Sequence, residues 1–186
     1  GYGGVDFVGS YDGGWYSISD LTINRPLVDY QGLFGNVTVT ATLENINLVD
    51  VGVTGSNYTG ALAGNIAGTS TGVTIQNCSV YGTTSIIGTG FVGGLAGYIS
   101  NAGVSLCDIR STGAGITGSS AYIGGFTGGI TAGANITDCY AKTNVNVSGS
   151  GNSAGGFIGY IDTGCDVKTS FSRGTIANTG AGYSYV

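Results

Sequence analysis

The stretch QGLFGNV at residues 31–37 returns as GALAGNI at 60–66, GGLAGYI at 93–99, GGFTGGI at 124–130 and GGFIGYI at 155–161. The starts are separated by 29, 33, 31 and 31 residues, so the chain is built from one recurring unit. In each copy a large apolar residue, a glycine and a second large apolar residue stand two apart: Leu33, Gly35, Val37; Leu62, Gly64, Ile66; Leu95, Gly97, Ile99; Phe126, Gly128, Ile130; Phe157, Gly159, Ile161. Alternate residues of an extended chain share a face, so the phrase reads as a half-buried β-strand.

A second pattern follows about a dozen residues into each copy. Leu43, Ile46, Leu48; Ile75, Cys78, Val80; Val104, Cys107, Ile109; and Ile136, Cys139, Ala141 share a step of three and then two, with Val167, Ser170, Ser172 as the last version. That step implies a bend within an alternating strand, which re-aims the inward face. A third extended stretch ends in Val92, Ile123 or Ala154, just before the next glycine pair. The segment before Gln31 reads as a diverged copy, with Gly3 and Gly4 ahead of Val5 and Phe7, and Ile18, Leu21, Ile23 repeating the three-then-two step.

A unit of this size with about three short strands has too little apolar surface to fold alone. Coiled and stacked at about 4.8 Å, such units form a continuous core. The expected fold is all-β: a parallel β-helix spanning residues 1–186 as one solenoid domain, with six coils starting near 3, 31, 60, 93, 124 and 155. Helical repeats of similar length need a 3.6-residue period, which this chain lacks.

Composition narrows the function. Ten acidic and five basic residues give a net charge of −5, and the five cations are scattered, so no basic stripe exists for nucleic acid. No run of eighteen apolar residues is present to span a membrane as a helix. The absence of histidine removes the commonest general base and the Ser-His-Asp and Cys-His arrangements. The carboxylates fall at outward or turn positions of different coils, with no facing pair of the kind a glycosidase needs. Asp12, Asp162 and Asp166 match no calcium loop and read as turn aspartates. We therefore expect no enzyme activity, no bound metal and no cofactor.

Cys78, Cys107 and Cys139 occupy one place in three consecutive coils, where other coils carry Leu21, Ile46 and Ser170. They read as a buried ladder of small side chains, close enough for neighbouring rungs to pair if oxidised. Cys165 is out of register. Five N-x-Ser/Thr sequons occur at Asn36, Asn57, Asn77, Asn135 and Asn146; Asn77, next to an inward cysteine, is expected to point outward. Tyr98 and Tyr160 share an outward column and are candidate contacts for a glycan or a protein surface.

The phrases GLFG, GGLAG and GGFIG resemble the GLUG repeat family of large bacterial and archaeal surface proteins, adhesin-like proteins and accessory regions of some secreted IgA-cleaving peptidases. The resemblance runs from Gln31 onward and is clearest from Gly93 to Gly159. FVGSYDGGWYSISDLTI, residues 7–23, is similar to the segment that often precedes such arrays. Gly14 and Trp15 stand where the family has Asn-Gly, which implies a retuned turn. The family implies an extracellular β-solenoid used as a stalk, scaffold or adhesive surface, and it brings no catalytic residues.

Because GYGG opens the sequence and Val186 stands where a glycine pair is next due, Gly1, Tyr2, Gly3, Gly4, Tyr183, Tyr185 and Val186 are the expected self-association ends of a head-to-tail homopolymer. The alternative is an adhesion or carbohydrate-binding module acting on glycans or surface proteins through Tyr98 and Tyr160. Either role places the chain outside the cell or at its surface.

Overall fold

The computed structural model describes residues 5–69, 72–149 and 153–180. Within them the chain is a parallel β-solenoid without helices, each coil stacking in register on the next. Face 1 stacks Phe34–Val39, Ala63–Gly68, Ala96–Ser100, Thr127–Thr131 and Ile158–Ile161. Face 2 stacks six strands from Ser10–Asp12 to Asp166–Lys168, and face 3 six from Ser17–Ser19 to Phe171–Arg173. Face 4 runs from Thr22–Asn24 to Ile176–Asn178, and face 5 comprises Phe91–Gly93, Tyr122–Gly124 and Ser153–Gly155. Six rungs therefore span about five full turns.

The sequence patterns mark three extended stretches per coil, whereas a full coil carries five short strands. The second and third stretches are each split by a corner. At the corner between faces 2 and 3 one residue takes the left-handed conformation in every rung: Trp15, Asn45, Asn77, Leu106, Asp138 and Thr169, with φ between 46° and 65°. A residue turned this way inverts the alternation, so Leu43 and Ile46 both point inward across Asn45. That is the origin of the three-then-two step.

The next corner repeats the device with Asp20 and Asp50, at φ 58° and 55°. Leu48, Val51, Val53 consequently shows the same spacing as Leu43, Ile46, Leu48. The pattern is degenerate by one face, and this shifts the expected alignment of the first coil. Ile18 pairs with Leu48 and Ile23 with Val53, while Tyr11 is the partner of Leu43. Leu21 therefore does not belong to the cysteine column; with Ser17 opposite Asn47, Tyr16 falls opposite Ile46.

The core is a set of vertical columns. Val37, Ile66, Ile99 and Ile130 line face 1; Leu43, Ile75, Val104 and Ile136 line face 2; all are at most 1% exposed. The glycine of the founding phrase has a specific task between them. A Cβ on Gly64 would lie 2.5 Å from the Tyr30 backbone, on Gly97 2.5 Å from Thr59 N, on Gly128 2.5 Å from Val92 N and on Gly159 2.5 Å from Ile123 N. Two backbone layers touch there, and only hydrogen fits between them.

Candidate functional site

Tyr98 and Tyr160 lie on face 1, in one column with Asn36, Asn65 and Gly129. Both rings are half-buried, because a second column stands beside them across the corner. Tyr30, Tyr58, Phe91 and Tyr122 sit two residues before the first glycine of successive pairs, or one before Gln31. Their rings follow one another at 4.9, 5.3 and 5.0 Å between centroids. Tyr30 on Tyr58 and Tyr58 on Phe91 are near-parallel, at 4° and 6°. Tyr98 meets Tyr58 and Phe91 edge-on at 5.9 and 5.0 Å, and Tyr160 packs on Tyr122 at 4.7 Å.

Gly129 makes this seam possible, since a Cβ there would reach 2.8 Å from the Phe91 ring. The faces of the rings are largely turned on one another. Burial, then the neighbouring Tyr30 hydroxyl, pushes the Tyr58 phenol above its ordinary range; Asp162 does the same to Tyr160. Tyr98 also hydrogen-bonds the Thr131 hydroxyl at 2.5 Å. The sequence reading found Tyr98 and Tyr160 but missed their partners, whose shared phase ahead of the glycine pair was the available signal.

Cys78, Cys107 and Cys139 are buried free thiols stacked in neighbouring rungs, and the Cys78 backbone N–H donates to the Cys107 sulfur at 3.4 Å. Each sulfur also reaches a carbonyl two residues back: Gln76 at 3.3 Å, Ser105 at 3.2 Å and Thr137 at 3.2 Å. Burial holds the Cys107 thiol well above its ordinary range. Cys165 is half-buried against the core edge.

Most of the carboxylates are occupied by local structure. Asp12 accepts from Gly14 N and Asn45 Nδ2, and the Asn45 bond, then that of Gly14, holds its carboxyl below the usual range. Asp50 accepts from Thr83 N at 2.6 Å, Asp162 from Thr163 N at 2.7 Å, and Asp108 pairs with Arg110 at 2.8 Å. Among the described residues no three His, Cys, Asp or Glu side chains converge as a metal site. The proposed association ends, Gly1 to Gly4 with Tyr183, Tyr185 and Val186, lie outside the described residues.

The first and last described rungs are more exposed than the interior ones. Tyr11 is 38% exposed where Leu43, its neighbour in the column, is fully buried. At the other end Ile161 and Val167 are 53% and 38% exposed, against 0% for Ile130 and Ile136.

The family model of the GLUG motif matches residues 119–146, which run from the end of face 4 through the glycine pair and the next two corners to face 4 again. The chain carries the GLUG motif. It is also 43% identical over 91 residues to halomucin of Haloquadratum walsbyi, a match covering 49% of this chain and 1% of that protein. The chain thus spans about a hundredth of the length of the curated relative it matches. Among solved structures, one named a putative immunoglobulin A1 protease, from Bacteroides ovatus, superposes with a TM-score of 0.63 over 93% of this chain and 68% of that one. At 12% identity this is a likeness of fold alone.

Proposed function

We propose that the chain is a non-enzymatic, extracellular structural element, a β-solenoid rod of a cell-surface fibre or stalk that lengthens by head-to-tail stacking of coils. The observation that carries this is the in-register stacking of like coils: on faces 2, 3 and 4 each interior strand pairs in parallel with the rung before it and the rung after it, so the contact that joins two coils of one chain can also join coils of two copies. The match to a small part of a very long protein supports a modular, repeated use of the same coil. The in-register columns make such a rod stiff, and the aromatic seam ties successive coils from outside.

Sedimentation velocity and negative-stain microscopy of the purified chain across a hundredfold range of concentration test the assembly. Growing rods with an axial repeat of about 29 Å, six rungs at about 4.8 Å, are expected. Ile161→Lys, which places a charge on the face 1 column at the last described rung, stops growth and leaves the circular dichroism unchanged. Monomers alone at every concentration refute the assembly.

A further inference from the structure

We infer that Asn135 is an N-glycosylation site, the one position of its five sequons where this fold holds an asparagine amide free for a glycan. The other four are engaged. Asn36 donates to Asp6 at 2.7 Å and accepts from Asn65 at 2.6 Å. Asn57 donates to Asp29 through its backbone and side-chain nitrogens, at 3.0 and 3.2 Å. Asn77, expected to point outward from a strand, is instead a corner residue at φ 54° whose amide donates to Asn45 at 3.2 Å. Asn146 is half-buried and donates to the Ala114 carbonyl at 2.9 Å.

Asn135 opens the strand Asn135–Thr137 on face 2, exposed and with no side-chain hydrogen bond among the described residues. Its neighbours in the column are Gly103 on one side, where an added Cβ would meet nothing within 4 Å, and Asp166 on the other, whose carboxylate is paired with Lys168 at 3.0 Å. An open groove of about 210 Å³ lies beside it, lined by Thr69, Gly72, Asn101, Gly103, Gly133 and Asn135 itself. The groove is open and small against the roughly 300–1,000 Å³ of a pocket that encloses a ligand. It gives room to the first sugar of a chain that continues into solvent. Thr137, the hydroxyl residue of the sequon, makes no side-chain hydrogen bond of its own among the described residues.

The chemistry is a transfer from a lipid-phosphate-linked glycan by an oligosaccharyltransferase. The Asn135 amide nitrogen forms a bond to the anomeric carbon, the bond from that carbon to the phosphate oxygen breaks, the lipid phosphate departs with the electron pair, and the amide proton passes to a base of the transferase. The inference rests on export of the chain, which a secretory host supplies in the test, so that its failure leaves the rod reading standing.

The full chain is secreted from a eukaryotic host, the glycans are removed by an amidase in ¹⁸O-water, and each sequon is read by mass spectrometry. Occupancy at Asn135 is expected to exceed that at each of the other four several-fold in the folded, secreted protein. Asn135→Gln is expected to abolish most of the glycan mass without moving the melting temperature. If that variant is not secreted, Thr137→Ala gives the same reading. An empty Asn135, or equal occupancy at the engaged sequons in folded protein, overturns the assignment.

Discussion

Leu106 is a misfit in the corner between faces 2 and 3, and replacing it by asparagine should strengthen the rod. Its φ of 53° is left-handed, a conformation that costs an ordinary L-residue about 1–2 kcal/mol and that asparagine tolerates. The same corner carries a ladder of side chains on its N-terminal side, Asn45 donating to Asp12 at 3.0 Å and Asn77 to Asn45 at 3.2 Å. Leu106 ends it. An amide at 106 places Nδ2 next to Asn77 Oδ1, a hydrogen bond worth about 0.5–1.5 kcal/mol. Against this, Leu106 is 51% exposed, so the lost burial is about half that of a core leucine, or about 1 kcal/mol. The balance is a gain of about 1 kcal/mol, which in a chain of this size raises the melting temperature by about 2–4 °C. Differential scanning calorimetry of Leu106→Asn beside Asn77→Leu, which inserts the same misfit one rung earlier and should lower the melting temperature, is the assay. A Leu106→Asn variant that melts at or below the native temperature refutes the ladder argument.

Three further outcomes follow from the packing. Gly97→Ala drives a methyl to 2.5 Å from Thr59 N and should cost at least about 3 kcal/mol or abolish folding, whereas Gly103→Ala, with nothing within 4 Å, should stabilise by about 0.5–1 kcal/mol; urea titration reads both. Tyr58→Ala removes ring contacts with Tyr30, Phe91 and Tyr98, each worth about 0.5–1.5 kcal/mol, and should lower stability by about 2–4 kcal/mol in the same titration. A disulfide reagent at pH 8 should titrate Cys165 promptly and the buried Cys78, Cys107 and Cys139 only in denaturant. The folded Cys107 thiol, raised by burial, contributes stability that is full below about pH 8.5 and declines above it, opposed by Cys78 and Cys139, whose thiols the neighbouring Cys107 holds below their ordinary range.

How far the sequence carried depends on whether the deciding partner lies in the same phase of the repeat. The columns Leu62, Leu95, Phe126 and Ile66, Ile99, Ile130 were readable because each residue stacks on its own equivalent, and equivalents are found by counting. The division of each coil into five strands was not, because the left-handed corners are filled by residues as unlike as Trp15, Asn77 and Leu106, and only the inverted alternation around them leaves a trace. That trace recurs at the Asp20 and Asp50 corner, so in sequence the first coil aligns one face out of its true register while still showing itself as a coil. The aromatic seam joins two different phases, Tyr58 and Phe91 from the approach to the glycine pair and Tyr98 from the strand after it, so no single column of the repeat displays it. The sequons divide for the same reason. Asn77 and Asn135 follow the same rule in sequence, yet one is held by a corner and a neighbour 32 residues away while the other stands between a bare glycine and an Asp166 that is paired with Lys168. A solenoid repeats its backbone more faithfully than its side chains, and this chain's individuality lies in the places where a rung departs from its column.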